Sequence, residues 1–200
     1  MVEGERGFPL VIAGPSGAGK TTLARIVVER EEGLRFSVSD TSRPIRGEEK
    51  DGVDYRFLGE ADFKRRIEED AYAEWALVHG DYYGTPRSEI DGPAERGETV
   101  VLDIDVQGSE QIRARYPEAV GIFVVPPSME VMESRLRARG TEKEDRIRRR
   151  LADAREEMTR NYEFDYIVIN DDLDAAADTV RAIARAERWR SGRLRDAARR

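Results

Sequence analysis

Residues 14–21 read Gly14-Pro15-Ser16-Gly17-Ala18-Gly19-Lys20-Thr21, and this octet decides the fold. It fits G-x-x-x-x-G-K-[ST], directly after the apolar run Leu10-Val11-Ile12-Ala13 and directly before the helix-period stretch Lys20 to Arg30. The setting carries the chemistry. Glycines let successive backbone N–H groups turn inward around a polyphosphate, and the start of a helix adds partial positive charge. Lys20 is spaced to reach β- and γ-phosphate oxygens, and the Thr21 hydroxyl to help hold Mg²⁺.

Outward from the loop, three more apolar runs follow: Thr99-Val100-Val101-Leu102, Ile122-Phe123-Val124-Val125 and Tyr166-Ile167-Val168-Ile169. Each is short and β-branched, as strands covered on both faces are. Charged, helix-period stretches lie between them, among them Ser109 to Tyr116 and Met129 to Arg139. This alternation predicts an α/β fold, a doubly wound parallel sheet flanked by helices. From Phe36 to Tyr83 the rhythm breaks into short strands (Asp54 to Leu58, Glu74 to Val78), one helix (Glu60 to Asp70) and polar turns. That region reads as an inserted lobe carrying a ligand site. Met129 to Asn161 reads as a helical pair around Gly140. The expected division is a core of residues 1–36, 86–128 and 162–200, a lobe of 37–85 and a lid of 129–161.

Composition narrows the function. The chain has 200 residues with a net charge of -7, so as a whole it has no nucleic-acid footprint. It contains no cysteine, which excludes disulfides, thiolate zinc sites and a cysteine nucleophile. The single histidine, His79, argues against a histidine-rich metal site or a serine–histidine triad, and reads as a packing or solvent residue. No apolar run approaches the roughly 20 residues of a membrane helix, and the opening MVEGERGFPLVIAG is not a signal peptide. A cytoplasmic protein with no membrane partner is expected. Charge is unevenly spread. Arg135 to Arg150 holds seven arginines and one lysine against three acids, and Arg185 to Arg200 seven arginines against two. The tail reads as a solvated helix face. In the first segment Arg135/Arg139 and Arg146/Arg150 are i,i+4 pairs, so each pair shares a helix face that could cover phosphates.

Leu102-Asp103-Ile104-Asp105 ends a strand with acids at its carboxyl end, the edge where open α/β sheets bind ligands. Asp103 suits ordering of Mg²⁺ waters. Asp105 could face a nucleotide or cap the helix that begins near Val106. In the lobe, Ser39, Arg43, Arg46, Glu49, Tyr55, Glu74, Tyr83 and Thr85 combine two arginines, two tyrosines, two acids and two hydroxyls. Arg43 and Arg46 can fork onto a phosphate, with tyrosine O–H groups completing the shell. Glu74 and the hydroxyls suit guanine, whose N1–H and N2–H₂ donors match a carboxylate and whose O6 accepts from a hydroxyl. Adenine would leave both mispaired.

On these residues the sequence resembles the guanylate kinase family, over about residues 8 to 185. The motifs are the octet above, Ser37-Val38-Ser39-Asp40-Thr41-Ser42-Arg43 with Arg46, Gly52-Val53-Asp54-Tyr55, and Glu74-Trp75-Ala76. Then come Gly80-Asp81-Tyr82-Tyr83-Gly84-Thr85, Leu102-Asp103-Ile104-Asp105-Val106-Gln107-Gly108, Pro126-Pro127-Ser128 and Val168-Ile169-Asn170-Asp171. The resemblance implies a P-loop NTPase-type sheet with a GMP-binding lobe and a helical lid, moving the γ-phosphate of ATP onto GMP or dGMP with Mg²⁺. It implies GMP held by Ser39, Arg43, Arg46, Glu49, Tyr55, Glu74, Tyr83 and Thr85, with Asp105 near the base. ATP would lie on Gly14, Pro15, Ser16, Gly17, Ala18, Gly19, Lys20, Thr21 and Thr22, with Arg135 by the adenine and Asn170 at its edge. Lys20, Arg43, Arg139 and Arg150 would be catalytic, with Mg²⁺ on Thr21 and, through water, Asp103. In Arg43-Pro44-Ile45-Arg46-Gly47-Glu48-Glu49 the proline and glycine stand one place earlier than the family order. Glu49 keeps its spacing from Arg46, and Glu48 is the alternative at that contact.

An anionic GMP oxygen as attacking atom needs no general base, in keeping with the single histidine. Two rival readings fit the sequence less well. A kinase for a phosphorylated sugar such as ribose 1,5-bisphosphate would share the cradle but lack the base-reading set and the arginine-rich lid. A non-catalytic phosphopeptide-binding relative would have a degraded cradle, whereas Lys20, Thr21 and Asp103 are all in place.

Overall fold

The computed structural model describes residues 6–78, 80–138, 144–190 and 193. His79, Arg139, the side chain of Arg146 and the tail beyond residue 193 lie outside the described residues.

Five parallel strands form the core sheet: β1 (Pro9–Ala13), β2 (Leu34–Phe36), β7 (Thr99–Asp103), β8 (Val120–Val125) and β9 (Tyr166–Ile169), in the order β2-β7-β1-β8-β9. The side-chain period of two explains why β1 is wholly buried. Leu10 and Ile12 join one apolar cluster with Leu23 and Val27 of α1 (Lys20–Arg30) and with Val180 of α7 (Leu173–Arg188). Val11 and Ala13 join another on the opposite face, with Ile90, Leu102, and Ile112 of α4 (Val106–Arg115). The apolar runs therefore form strands as expected. Edge strand β2 adds a fifth, which Arg35 at the middle of three residues conceals in the sequence.

The lobe is a second sheet, order β4-β3-β6-β5, made of β3 (Asp40–Thr41), β4 (Arg56–Phe57) and the antiparallel hairpin β5 (Tyr72–Val78) and β6 (Asp81–Pro86). Helix α2 (Glu60–Glu68) packs Phe63 against Tyr72 and Tyr82, with ring centroids 4.5 and 5.3 Å apart. Beneath them Asp40, fully buried, accepts from Arg56 Nε at 2.8 Å, Arg66 Nη1 at 2.6 Å and the Tyr72 hydroxyl at 2.9 Å. A small sheet with little apolar area thus closes around a paired charge, as a buried carboxylate requires. Gln111 of α4 ties the lobe to the core, accepting from Trp75 N at 3.1 Å and donating to Trp75 O at 2.8 Å.

A short α3 (Asp91–Glu95) precedes β7. Helices α5 (Met129–Ala138) and α6 (Glu144–Met158) form the expected helical pair and share their own cluster of Met132, Leu136, Ile147, Leu151 and Ala154.

Candidate active site

The octet crosses from β1 into α1 at the carboxyl end of the sheet. Gly14 has φ +138°, and a Cβ there would stand 2.2 Å from the Val124 carbonyl oxygen, so only glycine leaves β1 in this direction. Gly19, at φ 88°, brings no capping side chain to the start of α1. Gly17, Gly19, Lys20 and Thr21 line a cleft of about 320 Å³, so the helix start meets this space with its positive end. Lys20 Nζ donates to Gly14 O at 2.7 Å and Pro15 O at 3.3 Å, carbonyls of the loop itself.

The Thr21 hydroxyl donates to Asp103 Oδ2 at the end of β7. Two hard oxygen donors beside the phosphate loop fit Mg²⁺, which keeps most of its shell for water and substrate. Among the described residues no cluster of three or more histidine, cysteine or acidic side chains forms a metal cage. Asp105 caps α4, its Oδ1 accepting from Gly108 N at 2.7 Å, and it also lines the cleft. The expected cap is therefore present, and the same side chain borders the cleft.

Across the cleft lies the lobe. Glu74 is 5% exposed and its Oε1 accepts from the Thr85 hydroxyl at 2.6 Å, while Ser39 Oγ lies 3.2 Å from the same hydroxyl. Burial is the main cause pushing the Glu74 carboxyl up to about 7, and repulsion from Asp105 adds to it. Tyr55, half-buried in the cleft wall, is pushed up to about 12, chiefly by desolvation, so its O–H stays a donor.

A neighbouring cleft of about 200 Å³ shares Thr21, Ser39, Tyr55 and Asp103 with the first and adds Arg43 and Glu49. Arg43 is 5% exposed; its Nη1 and Nη2 fork onto Glu49 Oε2 and Oε1 at 2.6 and 2.7 Å, and its Nε donates to the Tyr83 hydroxyl at 3.2 Å. The guanidinium also stacks over the Tyr55 ring, 5.0 Å from its centroid. The fork raises the Arg43 pKa and lowers that of Glu49, so both stay charged. Glu49, not the exposed Glu48, is the acid brought to Arg43. Arg46 lines neither cleft; it is exposed, 3.8 Å from Asp81.

The remaining expected residues divide. Thr22 and Arg150 line the first cleft with Ser16. Asn170 is placed behind the loop: it is 3% exposed, and its Nδ2 donates to Ala18 O at 2.7 Å. Arg135 Nη2 donates to Asn170 O at 3.0 Å, and its buried Nη1 has no hydrogen-bond partner among the described residues. Sequence reasoning missed Arg25, which lines the second cleft and binds Asp54 Oδ1 at 2.5 Å across the lobe boundary. Its spacing of four from Thr21, one turn along the same helix face, is the signal that could have found it.

Phosphate loop, hydroxyl–carboxylate pair and facing lobe define a P-loop nucleotide-binding protein of the α/β class. The guanylate kinase family model matches residues 6–187. A guanylate kinase of Caldanaerobacter subterraneus subsp. tengcongensis is 46% identical over 192 residues, 96% of this chain and 93% of the relative. One from Myxococcus xanthus is 46% identical over 189 residues, 94% and 90% of the two chains. The crystal structure of guanylate kinase from Anaplasma phagocytophilum superposes with a TM-score of 0.80 at 32% identity, covering 94% of this chain and 90% of that one. The chain belongs to the guanylate kinase family.

Proposed function

We propose that this chain is a nucleoside-monophosphate kinase transferring the γ-phosphoryl group of ATP to GMP, and to dGMP, in the cytoplasm. The observation that carries the reading is that one cleft is lined by both Lys20 of the phosphate loop and Glu74 of the lobe. ATP lies with its phosphates on the loop amides of residues 14–21 and on Lys20, with Thr22 alongside. Arg135 offers its unpaired buried Nη1 toward the adenosine side, and Asn170 holds the loop from behind. Thr21 and, through water, Asp103 would hold Mg²⁺, which would supply charge neutralisation to the polyphosphate.

GMP lies on the lobe. Glu74 accepts from the guanine N1–H and N2–H₂, and Ser39 and Thr85 supply hydroxyls beside it. Arg43 and Arg46, with the Tyr55 and Tyr83 hydroxyls, hold the acceptor phosphate, while Glu49 keeps the Arg43 guanidinium oriented. Asp105 faces the base from the cap of α4. An oxygen of the GMP phosphate attacks the γ-phosphorus, and the bond to the β-phosphate oxygen breaks to release ADP. The nucleophile is already anionic, so the side chains align and neutralise rather than take protons. Arg150 of α6 meets the transferring phosphates; Arg139, outside the described residues, is given the same role on family resemblance alone.

A coupled ADP-release assay with GMP, AMP, CMP and UMP in parallel tests the reading. Turnover with GMP alone is expected. Equal turnover with AMP, or none with any nucleotide, would overturn it.

A further inference from the structure

Gly108 is the third residue of α4, where glycine is the poorest helix former after proline. Its backbone does not require glycine, since it is absent from the positive-φ positions of the chain. The amide bond to Asp105 Oδ1 is open to any residue except proline. What excludes a side chain is Glu74. A Cβ on Gly108 would stand 2.7 Å from Glu74 Oε2, 3.2 Å from its Cδ and 3.4 Å from Asp105 Oδ1. The carboxylate has little room to give way, because Oε1 is tied to Thr85, itself fully buried and in contact with Ser39.

We propose that Gly108 is a specificity-determining residue: its missing side chain is the space in which the second oxygen of Glu74 stands to read the purine. The inference rests on Glu74 being the base reader. Guanine presents N1–H and N2–H₂ side by side, and a carboxylate meets both only when its two oxygens lie in the plane and spacing of that edge. Thr85 sets one oxygen. Gly108 lets the other come to rest against the first turn of α4. A methyl group there moves Oε2 by several tenths of an ångström, which tilts the carboxylate off the edge without removing its charge. An α4 that is locally less favourable is kept in exchange for a correctly placed acceptor pair.

The test is Gly108→Ala, alone and combined with Glu74→Ala, assayed with GMP and with inosine monophosphate, which lacks the 2-amino group. For the single variant kcat/KM with GMP is expected to fall about ten- to a hundred-fold through KM, with the ATP KM unchanged. The preference for GMP over inosine monophosphate should shrink. The melting temperature should change by only a few degrees, since the better helix propensity of alanine offsets part of the crowding against Glu74. In the Glu74→Ala background the same change should cost nothing further. In Gly108→Ala, the shorter carboxylate of Glu74→Asp should recover part of the lost activity. An unchanged GMP KM in Gly108→Ala, or a loss that persists in the Glu74→Ala background, would overturn the proposal while leaving Glu74 as base reader. Glu74→Ala with an unaltered GMP KM would instead remove the reading beneath it.

Discussion

Glu74 carries opposite burdens in the empty and occupied site, and pH separates them. Its carboxyl is raised to about 7, chiefly by burial, so the folded chain holds a proton over a range where the unfolded chain has released it. The stability this contributes is present at acid pH and lost as pH climbs through about 7. Without nucleotide, Glu74→Gln should therefore gain in unfolding free energy relative to the parent between pH 5 and pH 8, read by urea denaturation. Base recognition runs the other way, because the ionised form is the acceptor. The GMP KM should rise by up to about tenfold per pH unit below 7 and level off above it, a trend that Glu74→Gln should lack. A flat profile in both measurements would remove Glu74 from the base. Lys20 gives a simpler expectation. Among the described residues its ammonium donates hydrogen bonds only to loop carbonyls, so Lys20→Ala should keep its circular dichroism and lose at least about a hundredfold in kcat.

Among the elements, the phosphate loop is held from both sides. Val124 O in β8 stands where a Cβ at Gly14 would lie, and Asn170, just after β9, binds the carbonyl of the buried Ala18. Asn170→Ala leaves that carbonyl unpaired, at a cost of about 1–3 kcal/mol. Denaturant titration should find that loss together with a raised ATP KM; loss of stability with ATP binding intact would confine Asn170 to packing. The loop itself was legible because its information is local: eight consecutive residues, a strand before and a helix after. So were the buried strands and the acids ending β7. The contact of Asn170 with Ala18 was not legible, because it joins residues 152 apart and depends on the sheet order. Strand β6 escaped notice because Gly84 and Pro86 interrupt its pattern, yet it carries Tyr83 and Thr85. The extent of α7 is hidden because its arginine-rich end reads as a tail, whereas the helix begins at Leu173, twelve residues before Arg185, capped by Asp172.

At the scale of the whole molecule, the phosphate loop of the parallel sheet, the second sheet and helix α6 each supply side chains to adjoining clefts, Lys20, Glu74 and Arg150 among them. Arg25 and Asp54 join core to lobe through a pair whose side chains are 46% and 26% exposed, worth at most about 1 kcal/mol. Gln111 of α4 adds two hydrogen bonds to the Trp75 backbone across the same boundary. On the proposed function, the γ-phosphoryl group meets its nucleophile only when the acceptor phosphate occupies the lobe. ADP release from ATP without GMP should accordingly be at least about a hundredfold slower than with it, measured in the same coupled assay. Comparable rates would mean that water reaches the γ-phosphate in the assembled site. The two clefts also share Thr21, Ser39, Tyr55 and Asp103, so they are rooms with a common wall rather than distant cavities. A single inhibitor joining adenosine to guanosine through a polyphosphate bridge would thus surrender its translational freedom once for two anchorages, and should outcompete either nucleoside phosphate alone.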